Sequence, residues 1–224
     1  DLLPECGSDR RRIRIVKYRG HAYRGGYHDF IITKGGVKIF PRLIASEHKN
    51  TFASSPVPSG IAELDQLVGG GVDKGTSTLV LGPAGTGKSL FVLQYVVAAM
   101  RRGEKAAVFM FDEELGVAFR RSKALGIDLE AYRDNGSLHI QQIDAAELSP
   151  GEFSHRVSVC VADLGVSLVA IDSLNGYRAA MPEEQALLLH MHELLQYLNR
   201  QGVTTFLTVA QHGLVGDMQA PIEI

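Results

Sequence analysis

The chain has 224 residues, 45% of them hydrophobic, which is enough for one α/β domain with a sizeable core plus a short additional segment. No apolar run approaches the roughly 20 residues of a membrane-spanning helix, and the first residues lack the pattern of a secretory signal peptide. The two cysteines, Cys6 and Cys160, do not form a closely spaced pair. We therefore expect a protein without membrane partners in a reduced, cytoplasmic setting.

The formal net charge of −2 is unevenly distributed along the chain. Residues 1–50 contain 11 Lys and Arg against 5 Asp and Glu, whereas residues 51–224 contain 12 against 20. The larger part is therefore acidic, and an acidic surface repels the phosphates of DNA and RNA. This charge pattern argues against nucleic acid as a partner.

The N-terminal 50 residues also differ from the rest in their hydrophobic pattern. The segments RIRIVKY and HDFIITKGGVKIF alternate in polarity and carry β-branched residues around a GG turn, which predicts a β-hairpin-like unit. The following TFASSPVPSG is rich in Ser and Pro and is typical of a linker. We expect an N-terminal unit at residues 1–50, a linker at 51–58 and a main domain at 59–224.

Strands and helices alternate regularly after the linker. Strands are predicted at 76–81, 105–111, 137–143, 166–172 and 203–211, and helices at 88–102, 115–125, 151–165 and 182–202. Repeated strand–helix units predict an α/β fold in which a mainly parallel sheet is covered by helices on both faces.

The first predicted strand of the main domain leads into a phosphate-binding motif. Residues 82–89 read GPAGTGKS and match G-x-x-x-x-G-K-[ST] at every fixed position, with a helix following. Lys88 can reach the β- and γ-phosphates of a nucleotide, and the Ser89 hydroxyl can bind magnesium, while the backbone N–H groups and the helix N-terminus attract the phosphates. The motif predicts that ATP with Mg²⁺ binds at Gly82, Pro83, Ala84, Gly85, Thr86, Gly87, Lys88, Ser89 and Leu90.

Carboxylates follow two of the other predicted strands. Asp172 ends an apolar strand, where P-loop enzymes hold the magnesium ion, although an aspartate there can also cap a turn. Asp112, Glu113 and Glu114 follow the strand AAVFMF, and a carboxylate at that edge can orient or deprotonate the attacking water. The alternative is a helix N-terminus, which also favours acidic residues. We assign catalytic roles to Asp112 and Glu113, and solvent or a cap to Glu114.

One amide and three histidines are the remaining candidates for polar chemistry. Gln211 ends the last predicted strand, where it can contact the γ-phosphate or the attacking water, or serve as an ordinary strand-end amide. His212 is interpreted as structural or exposed. His190 and His192 are two residues apart on a predicted helix, and this spacing places them on different faces, so no metal is assigned to them.

Three segments together resemble the KaiC family: GIAELDQLVGGGVDKGTSTLVLGPAGTGKS, FDEE followed by LGIDL, and AIDSLNGY. The resemblance covers nearly all of residues 59–224. It implies a RecA-like P-loop NTPase fold and Mg-dependent ATP hydrolysis at the subunit interfaces of a hexameric ring. Serine/threonine autokinase activity and regulatory protein partners are implied as further properties. The family's catalytic glutamate pair falls on Asp112 and Glu113, and the first position departs from the family because it is Asp.

The N-terminal unit resembles the same family. KYRGHAYRGGYHDFIITKGGVKIFP is similar to the closing strands of the family's module, which implies that residues 1–50 end a preceding repeat and that the second repeat continues beyond Ile224. Lys17 and Arg19 in VKYRG alternate on a predicted strand, which places both side chains on one face. This face can be a solvated basic surface on an edge strand. The resemblance implies instead that the two residues reach a neighbouring subunit's γ-phosphate and serve the ATP of the preceding repeat.

Two other functional classes share the phosphate motif. One is a RecA- or RadA-type DNA-dependent ATPase, which the acidic charge and the lack of a basic, Gly-rich loop after Gln211 disfavour. The other is a nucleotide-gated interaction module with negligible turnover, and a hydrolysis assay is needed to distinguish it.

Overall fold

The computed structural model describes residues 2–3, 10–179 and 184–211. The strands are β1 (Leu2–Leu3), β2 (Arg10–Ile13), β3 (His28–Thr33), β4 (Gly36–Phe40), β5 (Pro56–Val57), β6 (Val72–Asp73), β7 (Ser77–Pro83), β8 (Ala106–Met110), β9 (Leu138–Gln142), β10 (Leu168–Asp172) and β11 (Thr204–Gln211). The helices are α1 (Ala62–Leu67), α2 (Lys88–Arg101), α3 (Leu115–Ala124), α4 (Leu129–Asp134), α5 (Pro150–Ala162), α6 (Leu174–Ala179) and α7 (Glu184–Arg200), with a 3₁₀ turn at Ala45–Glu47.

The main domain is organised around a five-stranded parallel sheet in the order β7-β11-β10-β8-β9. Each of the five predicted strands and four predicted helices is present, with ends that differ by a few residues. Parallel neighbours need a crossover connection, and the intervening helices supply it. The predicted α/β class with a parallel sheet is confirmed.

The hydrophobic core has two parts, one on each face of this sheet. Along β8, Ala107 and Phe109 join a cluster that includes side chains of α5 and α7. Val108 and Met110 join the other cluster, which includes side chains of α2. Successive residues of a strand point to opposite faces, so an uninterrupted apolar strand requires helices on both sides.

The N-terminal unit is an antiparallel sheet in the order β1-β2-β3-β4. Lys34 and Gly35 form the turn between β3 and β4, as the GG pattern predicts. The sheet contacts the main domain through α5, since the Gly151 N–H donates to the Asp29 carboxylate at 2.7 Å. Phe40 is fully buried, and its ring centroid lies 5.4 Å from that of His155 on α5.

The structure corrects one strand prediction in this unit. β2 ends at Ile13, which pairs with His28, the first residue of β3. β3 therefore offers no further backbone to residues 14–18, which form no regular element. The prediction that Lys17 and Arg19 share a strand face is wrong for this reason.

Three short helices and one strand pair add to the predicted elements. α1, α4 and α6 have six residues each, which is too short for a helical period to stand out in the sequence. Within the predicted linker, Pro56 and Val57 pair with Asp73 and Val72. The domain boundaries remain predictions. The described part of the chain contains no helix with the length and apolarity to cross a bilayer.

Candidate nucleotide-binding site

The carboxyl ends of neighbouring strands bring the predicted site residues to one edge of the central sheet. Gln211, which ends β11, pairs with Pro83, which ends β7. Asp172 ends β10, and the adjacent strand β8 is followed closely by Asp112 and Glu113. Open α/β sheets bind ligands at this edge.

The phosphate-loop sequence forms an exposed turn between β7 and α2. Gly85 and Gly87 have φ angles of 79° and 88°, a left-handed conformation that glycine adopts readily. The Thr86 hydroxyl donates to the Pro83 carbonyl at 2.8 Å and closes the turn. Gly87 is the N-cap residue of α2 and has no side chain to cover the first N–H groups of the helix. Such N–H groups attract an anion, as the motif predicts.

Lys88 begins α2 and folds back over this turn. Its Nζ donates a hydrogen bond of 2.7 Å to the Pro83 carbonyl. A phosphate oxygen is a stronger partner for an ammonium group than a neutral carbonyl, because both groups then carry charge. The ammonium is therefore held at the loop by a contact that a phosphate can replace.

The two predicted magnesium ligands line the same pocket. Ser89 on α2 and Asp172 on β10 both contribute to its wall, which continues between α2, α3 and the central sheet. The Asp172 Oδ1 atom accepts a hydrogen bond from the hydroxyl of Thr208 on β11, and this bond orients the carboxylate. A hydroxyl and a carboxylate are oxygen ligands that Mg²⁺ prefers, so these residues fit the ion.

Asp112 is tied to the loop that follows β10. Its carboxylate accepts a hydrogen bond from the Ser173 hydroxyl. A Cβ atom built on Gly176 would lie 2.5 Å from Asp112 Oδ1, so α6 packs closely against this carboxylate and has no room for a side chain there. Asp112 thus links β8 to the segment that carries Asp172.

Glu113 has a different environment from Asp112. Its Oε1 accepts a hydrogen bond of 2.7 Å from Arg121 Nη1. Arg121 lies on α3, the helix that begins two residues after Glu113. The Glu113 side chain keeps 23% of its surface exposed, which leaves it accessible to water. Glu114 precedes α3 as its N-cap residue, in agreement with the expected solvent or cap position.

Gln211 is partly buried at the end of β11, between the phosphate loop and β10. The preceding residue is fixed by an amide pair. The side chain of Asn175 on α6 donates to the Ala210 carbonyl at 3.1 Å and accepts from the Ala210 N–H at 2.8 Å. The end of β11 is therefore held against the helix that follows Asp172.

Residues 57–218 match the family model described as "ATPase: KaiC". The chain belongs to the KaiC ATPase family. Its sheet and phosphate loop therefore form a RecA-like P-loop ATPase domain, and the predicted family is confirmed.

Three curated circadian clock proteins illustrate the relatives of this KaiC-family chain. It is 32% identical over 166 residues to the circadian clock oscillator protein KaiC of Acaryochloris marina, covering 74% of this chain and 32% of the relative. It is 35% identical over 168 residues to KaiC of Thermostichus vulcanus, with 74% and 32% covered. Circadian clock protein KaiC2 of Synechocystis is 28% identical over 207 residues, with 92% and 36% covered. The chain thus spans about a third of the length of these relatives.

Several residues with reactive or metal-binding side chains lie away from this edge. Cys160 is buried, and burial raises the pKa of its thiol to about 11, so it is not a reactive thiolate. His190 contacts the Ser154 hydroxyl at 2.9 Å and the Tyr177 hydroxyl. His212 and Cys6 lie outside the described residues. Among the described residues, no cluster of three or more His, Cys, Asp or Glu side chains could hold a metal ion.

Four partner residues of this KaiC-family site are missed by the sequence-based predictions: Arg121, Ser173, Asn175 and Thr208. Ser173 and Asn175 lie in AIDSLNGY, a segment already singled out for its resemblance. Their positions directly after a predicted magnesium ligand are a usable signal. The sequence does not indicate the partners of Arg121 and Thr208, because these contacts depend on how α3 and β11 pack in the folded protein.

Proposed function

We propose that this chain binds ATP with Mg²⁺ and hydrolyses it at the carboxyl edge of the central sheet. The observation that carries this proposal is the placement of the phosphate loop, Gln211, Asp172 and the pair Asp112–Glu113 at one edge. Nucleotide hydrolysis depends mainly on positioning and on neutralising charge, and this edge offers groups for both.

The geometry of the loop supports the following binding roles. The N–H groups of the glycine-rich turn and the ammonium of Lys88 bind the β- and γ-phosphates. Ser89 and Asp172 would hold the magnesium ion, and Thr208 orients the Asp172 carboxylate. When bound, Mg²⁺ neutralises charge on the phosphate oxygens.

The chemical step is assigned to Glu113. Its carboxylate accepts a proton from a water molecule as the water oxygen forms a bond to the γ-phosphorus. The bond between that phosphorus and the β–γ bridging oxygen breaks, which releases ADP and phosphate. Asp112 is the weaker candidate for this base because its side chain is shorter and reaches less far, and its carboxylate accepts a hydrogen bond from Ser173. The Gln211 amide contacts the γ-phosphate or the attacking water.

A Lys88→Ala variant tests the nucleotide assignment. Removing the ammonium deletes a charge-assisted contact, which costs about 1.5–3 kcal/mol, or roughly 10–150-fold in ATP affinity. Isothermal titration calorimetry measures this loss. Lys105→Ala is the matched control, since Lys105 is exposed and precedes β8 at the opposite edge of the sheet. Unchanged ATP affinity in Lys88→Ala would reject the assignment.

For the full-length protein, the proposed assembly is a hexameric ring with ATP at the subunit interfaces. Its support is the family membership and the names of the relatives, which are circadian clock proteins. Autokinase activity, regulatory protein partners and a cytoplasmic location belong to the same proposal. Light scattering of the full-length protein with saturating ATP checks the ring, and a monomer there would contradict it.

A second candidate is a nucleotide-gated module with negligible turnover. The observation that favours it is the Asp at position 112, whose carboxylate is occupied by Ser173. ATP binding that survives without phosphate release in a hydrolysis assay would select this candidate.

A further inference from the structure

We propose that Arg121 is a positioning residue that holds the Glu113 carboxylate for the hydrolytic step. This inference rests on the proposed ATPase function and on the assignment of Glu113 as the base. The two side chains are joined by a charge-assisted hydrogen bond of 2.7 Å between Arg121 Nη1 and Glu113 Oε1. Bonds of this type are shorter and stronger than neutral hydrogen bonds.

The location of Arg121 on α3 allows this role. Glu113 lies in the connection between β8 and α3, whereas Arg121 lies about two turns along the helix. Side chains on a helix lean toward its N-terminus, so a long arginine can reach back to the residues that precede the helix. The connecting segment is thereby fixed to the body of α3.

The helix that carries Arg121 is itself anchored. Ala118 and Ser122 are buried on the inner face of α3, and Ala118 belongs to the core cluster that also contains Met110 of β8. The Arg121 backbone therefore has a fixed relation to the end of β8. Because Arg121 is fixed in this way, its ion pair with Glu113 restricts the position of the Glu113 carboxylate.

Arg121 also contributes to the wall of the pocket that contains the two proposed magnesium ligands. Ser89, Asp172 and Arg121 all line it. Arg121 therefore contacts Glu113 and also lines the pocket that contains the two proposed magnesium ligands. The guanidinium stays protonated and exchanges no proton during the reaction, so Arg121 is not itself an acid or a base in this step.

Stability alone does not account for this contact. The Arg121 side chain is 44% exposed, and ion pairs at such sites add little to the stability of the fold. Catalysis is more sensitive, because a displacement of about 1 Å in a reacting group can cost 10²-fold in rate. The effect of Arg121 is therefore expected in turnover and not in unfolding.

The test compares Arg121→Gln with Arg120→Gln in the full chain. Arg120 is the adjacent exposed arginine on the same helix. The two variants therefore differ in that only Arg121→Gln removes the hydrogen bond of Arg121 to Glu113. We expect Arg121→Gln to lower kcat for ATP by roughly 10–100-fold with little change in KM. Arg120→Gln is expected to stay within a factor of two. The melting temperature of both variants is expected to match that of the parent.

Two further variants separate positioning from other effects. Arg121→Lys keeps one charged donor and is expected to recover most of the lost kcat, because a lysine can still contact the carboxylate. In a Glu113→Gln background, Arg121→Gln is expected to cause no further loss, since residues that act as a unit are not additive.

Each result bears on one of two assignments. An unchanged or raised kcat in Arg121→Gln overturns the positioning role, as does an equal loss in Arg120→Gln. Additive losses in the double variant also overturn it. If Glu113→Gln itself leaves hydrolysis intact, the base assignment fails and the positioning role of Arg121 fails with it, whereas the ATPase function stands. If Lys88→Ala leaves ATP binding intact, the proposed function fails instead.

Discussion

The two larger sheets of the described structure contain similar residues but differ in how much of each sheet is buried. β8 of the central sheet and β3–β4 of the N-terminal sheet are all rich in β-branched and other apolar side chains. All five residues of β8 are buried. In the N-terminal sheet, Ile32, Val37 and Ile39 are exposed, while Phe40 on the same hairpin is fully buried.

The difference shows that apolar composition predicts a strand but not how many of its faces are covered. The central sheet is covered on both faces by helices that follow its own strands along the chain. The N-terminal sheet is covered on one face by α5, a helix of the other domain, through Asp29 and Phe40. These contacts join the N-terminal sheet to the domain that contains the nucleotide site. Three predictions sharpen this comparison.

The largest effect is expected for Glu113→Gln, which changes chemistry at the central sheet alone. The amide keeps the size of the side chain but cannot accept the proton, and a general base contributes roughly 10²–10⁴-fold. We expect kcat for ATP to fall by this factor while ATP affinity and thermal stability are preserved. Phosphate release and calorimetry measure these quantities. Turnover within a factor of two of the parent would transfer the base role to another group such as Asp112.

The next effect concerns the attachment of the N-terminal sheet. Phe40→Ala removes a fully buried ring that packs against His155, and such truncations cost about 3–5 kcal/mol. Amide hydrogen exchange is expected to accelerate in β3 and β4 but not in β8 or β10. The control is Ile39→Ala on the same strand, where the side chain is 47% exposed and little loss is expected. Equal acceleration in both variants would show that the sheet does not depend on this contact.

The smallest effect concerns the interior next to α5. Burial lowers the pKa of His190 from 6.5 to about 4, so the folded protein keeps this imidazole neutral while the unfolded chain binds a proton at higher pH. The free energy of unfolding is therefore unaffected by this group above pH 6.5, and it falls as the pH drops from 6.5 toward 4. The loss amounts to about 3 kcal/mol in the free energy of unfolding.

Denaturant unfolding between pH 7 and 4 measures this dependence. His190→Gln is expected to flatten the fall in stability, whereas His192→Gln is expected to leave it intact because His192 is exposed on the same helix. The groups that face His190 are the hydroxyls of Ser154 and Tyr177, with the charge of Asp29 nearby. If the free energy of unfolding falls equally with pH in the parent and in His190→Gln, His190 is not the cause of the fall.

Local pattern explains which parts of the fold and site could be predicted. The phosphate loop, the alternation of strands and helices and the Lys34–Gly35 turn depend on residues close together in sequence, and each is found where expected. The strand order could not be predicted in this way, because it depends on packing between distant segments. Contacts such as Thr208 with Asp172 and Arg121 with Glu113 follow from that packing.

The incorrect strand at Lys17 and Arg19 has the same cause. RIRIVKY has the alternation of a strand throughout, but a strand also needs a partner, and the pairing with β3 stops at Ile13, which lies opposite His28, the first residue of β3. The length of β2 is therefore decided by another segment of the chain. The roles of the site residues remain predictions that the variants above address.

The order of strands in the central sheet has a consequence for how the protein is made. Within the described sheet, β7 lies at the edge and pairs with β11 alone, although β11 is the last of these strands along the chain. On the ribosome, the strand that leads into the phosphate loop emerges early and has no partner until Gln211 has left the exit tunnel. Until then the edge of β7 is open, and an unpaired strand edge can pair with strands of other chains.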